Sequence, residues 1–140
     1  MGVLNRIMEL IAEHSKKLDE IANEHIDLRD WRILYATLHL LQVHAQGTID
    51  ALLHICSLLS LEASTPMMCV EKLQERNILN TEEATLLKRM IRFRNIIVHE
   101  YGRIDVSKVL QVLNSKGYRK PLEILTKILK ILADQGIVDP

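Results

Sequence analysis

The chain has 140 residues, about the size of one domain, and 48% of them are hydrophobic while only 4% are aromatic. Eighteen basic and eighteen acidic residues give a formal net charge of zero, which excludes a whole-protein field that would attract nucleic acid or an anionic membrane. Five glycines and three prolines are too few for the many turns of a β-sandwich or barrel, so a helical fold is favoured.

Targeting and redox features predict a cytoplasmic protein without membrane contact. No apolar run approaches the roughly 20 residues that a membrane-spanning helix needs. The N-terminal segment contains Glu9 and Glu13 and lacks the apolar core of a signal peptide. Arg6 occupies the position where a myristoylation motif has Ser or Thr. Cys56 and Cys69 have no CxxC spacing; a disulfide or a metal pair is an alternative, but two buried free thiols are favoured.

The first two predicted helices follow from apolar residues that recur at three- and four-residue steps. The first helix carries such a stripe from Leu4 to His25. Asp27 is the predicted cap of a second helix, which begins near Leu28 and runs for about 30 residues with Gly47 as its weak point.

Two shorter helices follow, each with a recognisable start. The sequence 64–66, Ser-Thr-Pro, predicts a cap and a first-turn proline for a third helix that continues through Leu73. Asn80, with Glu83 three residues later, predicts a capping box at the start of a fourth helix. The Tyr101–Gly102 pair suggests where this helix ends.

The remaining chain predicts two more helices. Asp105 caps a fifth helix that Gly117 stops, and Pro121 starts a last apolar helix reaching Ile137. That last helix either completes the bundle or extends a dimer. With short connections and no sustained alternation of apolar and polar residues, the sequence predicts an all-α protein: one domain, 1–140, an antiparallel up-down helical bundle of about five to six helices.

The segment 88–105 concentrates the candidate functional residues. Asp and Glu are absent from 86 to 98, so the densest basic run of the chain is uncompensated in the local sequence and could contact several phosphates. The alternative is a solvated helix face whose charges pair with acids elsewhere in the fold. The basic residues of this run are Lys88, Arg89, Arg92, Arg94 and Arg103.

Arg94 and His99 together suit RNA cleavage without a metal. Histidine can act as a general acid or base near neutral pH, and arginine holds phosphate oxygens with a planar fork. On a straight helix, however, a five-residue step places these two side chains about 140° apart, whereas Asn95 and His99 share a face. Either the helix distorts near Val98 or two copies of the segment meet across a two-fold axis, and the second arrangement is preferred.

Residues 94–101, Arg-Asn-Ile-Ile-Val-His-Glu-Tyr, resemble the Arg-x4-His-x-Tyr motif of the HepT-type proteins in the HEPN superfamily. Asn95 fills the place after the arginine where this superfamily often has a polar residue. An Ile-Asp pair at 104–105 opens the next helix, as is usual in these proteins, and the resemblance extends over residues 5–115.

The resemblance implies a homodimer with the motif at the subunit interface and a metal-independent endoribonuclease toxin that acts on RNA through Arg94 and His99. It also implies a partner, a minimal nucleotidyltransferase antitoxin that transfers adenylate to the motif tyrosine, here Tyr101. In this interpretation Asn95, Arg92, Lys88, Arg89 and Arg103 support RNA binding.

Two alternatives remain beside the ribonuclease hypothesis. The first is a non-catalytic subunit of a nucleotidyltransferase, in which Arg94, His99 and Tyr101 hold a nucleotide or receive its phosphate. The second is a structural dimer whose motif residues form a hydrogen-bond network. No metal site or cofactor is predicted, because neither His39 and His44 nor His44 and His54 share a helix face well.

Overall fold

The computed structural model describes residues 2–24 and 27–139, apart from the side chain of Tyr101. Within these residues the chain forms α-helices and two one-turn 3-10 helices, at 101–103 and 117–119, and no strand, which confirms the all-α prediction. No helix in this part of the chain is both long and apolar enough to cross a bilayer. The α-helices are α1 (Val3–Asn23), α2 (Trp31–Leu58), α3 (Pro66–Glu75), α4 (Thr81–His99), α5 (Val106–Ser115) and α6 (Lys120–Asp134).

Three helix starts agree with the predicted caps. The Thr65 side chain accepts a hydrogen bond from the backbone N–H of Met68, with proline in the first turn of α3. Asn80 and Glu83 form the reciprocal capping box at the start of α4. Asp105 caps α5. These side chains satisfy backbone N–H groups that have no partner inside the helix, so the local sequence determines where the helices begin.

Several predicted boundaries are different in the structure. The last helix, α6, ends at Asp134 and does not reach Ile137, because Gly136 adopts the left-handed conformation. The helix α2 begins at Trp31 and is capped by Asp30, because the side chain of Asp27 is used in the preceding turn, where it accepts from the N–H of Arg29. The helix α3 continues two residues beyond the predicted end, to Glu75. The end of α1 at Asn23 precedes His25, which lies outside the described residues.

The end of α5 is set by Lys116 and not by Gly117. Lys116 adopts the left-handed conformation with φ of 54°, and its Nζ donates a hydrogen bond to Asn23 Oδ1 at 2.9 Å. A glycine cannot make this contact with α1, so a tertiary interaction replaces the predicted stop signal.

Gly47 does not interrupt α2, although it was the predicted weak point. The residue is buried where α1 crosses α2, and a Cβ added to it would lie 3.0 Å from Cγ1 of Ile11. The glycine therefore allows the two helices to approach closely, and this packing outweighs its low helix propensity.

The larger of two hydrophobic cores lies between the C-terminal half of α2 and helices α3, α4 and α6, and the N-terminal half of α1 closes it. Leu52, Leu73, Leu87 and Leu125 are completely buried in it. The helix α6 contributes four buried side chains to this core, so the last helix completes the bundle. These four are Ile124, Leu125, Ile128 and Leu132.

The two cysteines lie in this larger core as a disulfide, and the expectation of free thiols is wrong. Cys56 of α2 and Cys69 of α3 have Cα atoms 6.2 Å apart, a separation that a disulfide spans. The sequence could not show that the turn between α2 and α3 brings these two residues together.

The smaller core joins the C-terminal half of α1, the N-terminal half of α2, the end of α4 and helix α5. It is closed by Tyr118, whose hydroxyl donates to Asp19 Oδ1 at 2.5 Å. Arg119 forms an ion pair with the same carboxylate at 2.7 Å and holds the pKa of Asp19 below its usual value.

Candidate active site

The predicted functional residues lie along α4, which passes through both cores. Ile91 packs in the larger core and Ile97 in the smaller one. The helix is regular up to its last residue, since the N–H of Glu100 still donates to the carbonyl of Ile96 at 2.9 Å. The distortion near Val98 that would bring arginine and histidine together within one chain is therefore not present.

One face of α4 carries four of the predicted residues. Lys88, Arg92, Asn95 and His99 follow at steps of four, three and four residues, which places them within about 60° of one another around the helix axis. The last three are exposed. His99, the final residue of the helix, is thus accessible to a large substrate.

Arg94 projects from another side of the helix, about 140° from His99. It is half-buried, between the two cores. Its Nη1 donates a hydrogen bond to Oδ1 of Asn95 at 3.1 Å. This bond links the guanidinium of Arg94 to a side chain on the face of His99. The complete convergence of Arg94 and His99 is not achieved within one chain.

The charge balance of the basic run is mixed. Lys88 Nζ lies 3.5 Å from a carboxylate oxygen of Glu71, and Arg103 pairs with Glu100 at 3.0 Å. Among the described residues, no carboxylate lies within ion-pair distance of the other three basic side chains, Arg89, Arg92 and Arg94. The alternative of a neutralised face therefore applies to only two of the five residues.

Tyr101 begins the short 3-10 helix that follows α4, and its side chain lies outside the described part of the molecule. In residues 2–24 and 27–139, no three His, Cys, Asp or Glu side chains come together as metal ligands. The sequence analysis did not identify Gln46 of α2, which lines the same cavity as Arg94 and Asn95. No sequence signal distinguishes Gln46, because Gln42, His44 and Thr48 of the same stretch are also polar.

Comparison with known proteins extends these observations. The family model "Ribonuclease HepT-like" matches residues 4–128. A protein of Methanocaldococcus jannaschii with the name "Putative RNase MJ1548" is 34% identical over 66 residues, which are 47% of this chain and 76% of that protein. The family match includes most of α6.

Solved structures share the fold at low sequence identity. A crystal structure of a toxin–antitoxin with AMP-PNP has a chain with a TM-score of 0.79 and 18% identity, over 89% of this chain and 99% of that one. A tri-AMPylated HEPN toxin of Shewanella oneidensis, in complex with an MNT antitoxin, has the same TM-score and identity, over 90% and 98%.

A third structure, of the Bacillus subtilis cytosolic protein of unknown function YutE, has a TM-score of 0.73 and 14% identity, over 100% of this chain and 97% of that one. These likenesses agree with the helical bundle described above. The family match over residues 4–128 confirms the resemblance to HepT-type proteins drawn from the motif. The chain belongs to the HepT-like ribonuclease family.

Proposed function

We propose that this protein is the toxin of a toxin–antitoxin pair, an endoribonuclease that cleaves RNA without a metal through Arg94 and His99. The observation that carries the proposal is the end of α4, where an exposed histidine follows an arginine that has no carboxylate partner among the described residues. Because the chain belongs to a ribonuclease family, we assign this arginine and this histidine to RNA cleavage.

The site is composite, built from two copies of the chain. A regular helix keeps Arg94 and His99 of one chain apart, so a second α4 across a two-fold axis must supply the missing group. Three large apolar side chains on α4 and α5 are exposed and suit burial against a second copy. They are Val98, Val106 and Leu110.

The two histidines of such a dimer divide the proton transfers. One His99 accepts the proton of an RNA 2′-hydroxyl while its oxygen forms a bond to phosphorus. The bond from phosphorus to the 5′-oxygen breaks, and the second His99, in its protonated form, donates a proton to that leaving oxygen. Arg94 stabilises the negative charge on the phosphoryl oxygens. The products are a cyclic phosphate and a 5′-hydroxyl end, so atoms and protons balance.

The basic residues of α4 bind the RNA backbone in this proposal. Arg92 is on the face of His99, and neither it nor Arg89 has a carboxylate partner among the described residues. Lys88, which is half-buried, and Arg103 are in ion pairs with exposed carboxylates, and surface ion pairs contribute little to stability, so these contacts can be exchanged for phosphate contacts. Binding through such contacts becomes weaker as salt concentration increases.

The proposed partner is a nucleotidyltransferase antitoxin that adenylylates Tyr101 in the cytoplasm. The support is the fold shared with the Shewanella oneidensis toxin, which is described as tri-AMPylated and in complex with an MNT antitoxin. Tyr101 lies two residues after His99, which is the last residue of α4. An adenylate at this position would bring bulk and negative charge to the RNA-binding end of the helix.

The test is cleavage of labelled RNA by the purified protein in excess EDTA. The wild type and the control His39→Ala, which changes an exposed histidine of α2, should cleave and leave a cyclic phosphate. His99→Ala and Arg94→Ala should each lose about 10²-fold to 10⁴-fold in rate. EDTA-resistant cleavage that persists in His99→Ala would overturn the mechanism.

Mixed dimers test the composite site separately. A dimer of one wild-type chain and one His99→Ala chain retains one of the two histidines. Because the composite site uses one His99 as base and the other as acid, the activity of this dimer should fall close to that of the His99→Ala homodimer. Retention of about half of the wild-type activity would show that each chain carries a complete site. Binding of nucleotide without cleavage by any dimer would favour the non-catalytic subunit.

A further inference from the structure

A cavity of about 530 Å³ opens between α2, α3 and α4, on the side of α4 that carries Arg94. Its volume is within the range of small-molecule sites. One part of its wall is apolar and another part is polar. The apolar part includes Ile49, Leu53, Met67 and Ile91, and the polar part includes Gln46 and Arg94.

Two polar atoms of this wall have no hydrogen-bond partner among the described residues. Arg94 Nε, a donor, and Gln46 Oε1, an acceptor, are both shielded from solvent. The Gln46 amide nitrogen already donates to Asp50 at 2.8 Å, so only its oxygen is unsatisfied. An unsatisfied buried polar group costs about 1–3 kcal/mol. Because both atoms are shielded from solvent, a ligand in the cavity could satisfy them only after the two side chains rotate towards it.

We propose that this cavity binds one nucleotide of the RNA, next to the scissile phosphate, and that Gln46 is a specificity-determining residue. A nucleobase has apolar faces, which suit the wall of Ile49, Leu53 and Met67, and a polar edge with donors that suit the oxygen of Gln46. Its phosphate meets Arg94 at the same wall. The subsite rests on the proposed function, because it positions the substrate of that reaction.

Charge favours this occupant over a protein segment. Arg94 lacks a carboxylate partner among the described residues, and an apolar helix from another protein would bury the guanidinium without an anion. The start of α3 offers the phosphate fewer donors than a usual helix N-terminus. Its first residue, Pro66, has no N–H, and the N–H of Met68 is already bonded to Thr65.

The experiment follows the methionine methyl groups of the dimeric protein by NMR. Met67 lines the cavity, whereas Met8 packs against the larger core from α1 and serves as the reference. The probes are the four nucleoside 3′-monophosphates, with inorganic phosphate at equal concentration as the control. We expect saturable shifts of the Met67 resonance with at least one nucleotide, and much smaller shifts with phosphate alone.

Variants locate the binding. Gln46→Leu should weaken nucleotide binding about fivefold, which is the effect of losing one hydrogen bond. The control is Gln42→Leu, one turn earlier on α2 and outside the cavity wall, and it should not weaken binding. Leu53→Trp fills the cavity and should abolish the Met67 shift. If this variant does not fold, Gln46→Leu alone still tests the subsite.

Three results would overturn the inference. These are no shift at Met67, equal binding by Gln46→Leu and Gln42→Leu, or a Met67 resonance that changes on dimer formation and is then insensitive to nucleotide. The last result would assign the cavity to the second subunit. The subsite and the proposed function can be tested separately. If nucleotide binds near Met67 but the protein does not cleave RNA, the nucleotide subsite is supported and the proposed catalysis is contradicted.

Discussion

The two halves of α4 lie in different surroundings. The N-terminal half is enclosed by the larger core, with Leu87 completely buried, a capping box at its start and α6 packed nearby. The C-terminal half borders the smaller core and presents exposed polar residues, of which His99 is the last. The comparison indicates that the residues buried for stability and the proposed catalytic histidine lie in different parts of one continuous helix.

This separation explains how a reactive end can be held in place. An exposed helix end with few buried contacts would fray if it were isolated. Here the same helix continues into the larger core, so the position of His99 is fixed by packing at residues that take no part in the chemistry. Substitutions in the two halves should therefore affect different measurements.

The largest expected effect on stability comes from Leu52→Ala in the larger core. The side chain is completely buried, and its loss should lower the free energy of unfolding by about 2–5 kcal/mol. Urea denaturation measures this change. The control Val138→Ala shortens an exposed side chain that belongs to neither core and should cost about 0.5 kcal/mol or less. Equal effects of the two substitutions would contradict the comparison.

Loss of the disulfide should also destabilise the larger core. The bond closes a loop between residues 13 apart in sequence, and a crosslink of this length restricts the unfolded chain by about 3 kcal/mol. The double variant Cys56→Ala, Cys69→Ala should match the reduced wild type in denaturation and should not respond to reductant. Two titratable thiols in the purified wild type, with stability unaffected by reductant, would restore the expectation of free cysteines.

The stability of the protein should depend on pH through a buried histidine beside the smaller core. His44 is buried with its ring edge-on to Tyr118, and burial lowers its pKa to about 4, against some opposition from a hydrogen bond to the Tyr118 backbone. His14 nearby lowers the pKa further. Between pH 6.5 and 4, His44 binds a proton in the unfolded state but not in the native state. The free energy of unfolding should therefore decrease by about 3 kcal/mol as the pH falls through this range.

The contribution of His44 is measured by comparing variants over the same pH range. His44→Leu should remove this part of the pH dependence, whereas His39→Leu, at an exposed position of the same helix, should retain it. Parallel curves for the wild type and His44→Leu would show that the buried ring does not resist protonation.

The smallest expected effect comes from Asn95→Ala at the reactive end. Loss of the hydrogen bond to Arg94 Nη1 frees the guanidinium, and we expect kcat/KM for RNA cleavage to fall about tenfold. The melting temperature should not change, because Asn95 is exposed. Asn95→Asp retains an acceptor but adds a negative charge beside the arginine, so it should weaken RNA binding more than alanine does.

Most of the fold could be predicted from local sequence, because helix caps act within a few residues. Thr65, Asn80 and Asp105 are examples in which the side chain and its backbone partner are close in sequence. The end of α5 at Lys116 and the disulfide could not be predicted in this way, since each depends on residues brought together by packing.

The residues of the candidate site also fall into those that local sequence predicts and those that only the packing reveals. Arg94, His99 and Tyr101 were found from their spacing in one segment, and their roles stay predictions. Gln46 lies on another helix, and only the packing of α2 beside α4 shows that it shares a cavity with Arg94.

The continuity of α4 also has a genetic consequence. If the proposed toxin is selected against in growing cells, escape mutations should form two classes. Substitutions at the end of α4 would leave a folded, abundant and harmless protein, which could still pair with active copies and inactivate them. Substitutions around Leu87 would instead remove the protein through misfolding and proteolysis. Only the first class would be genetically dominant.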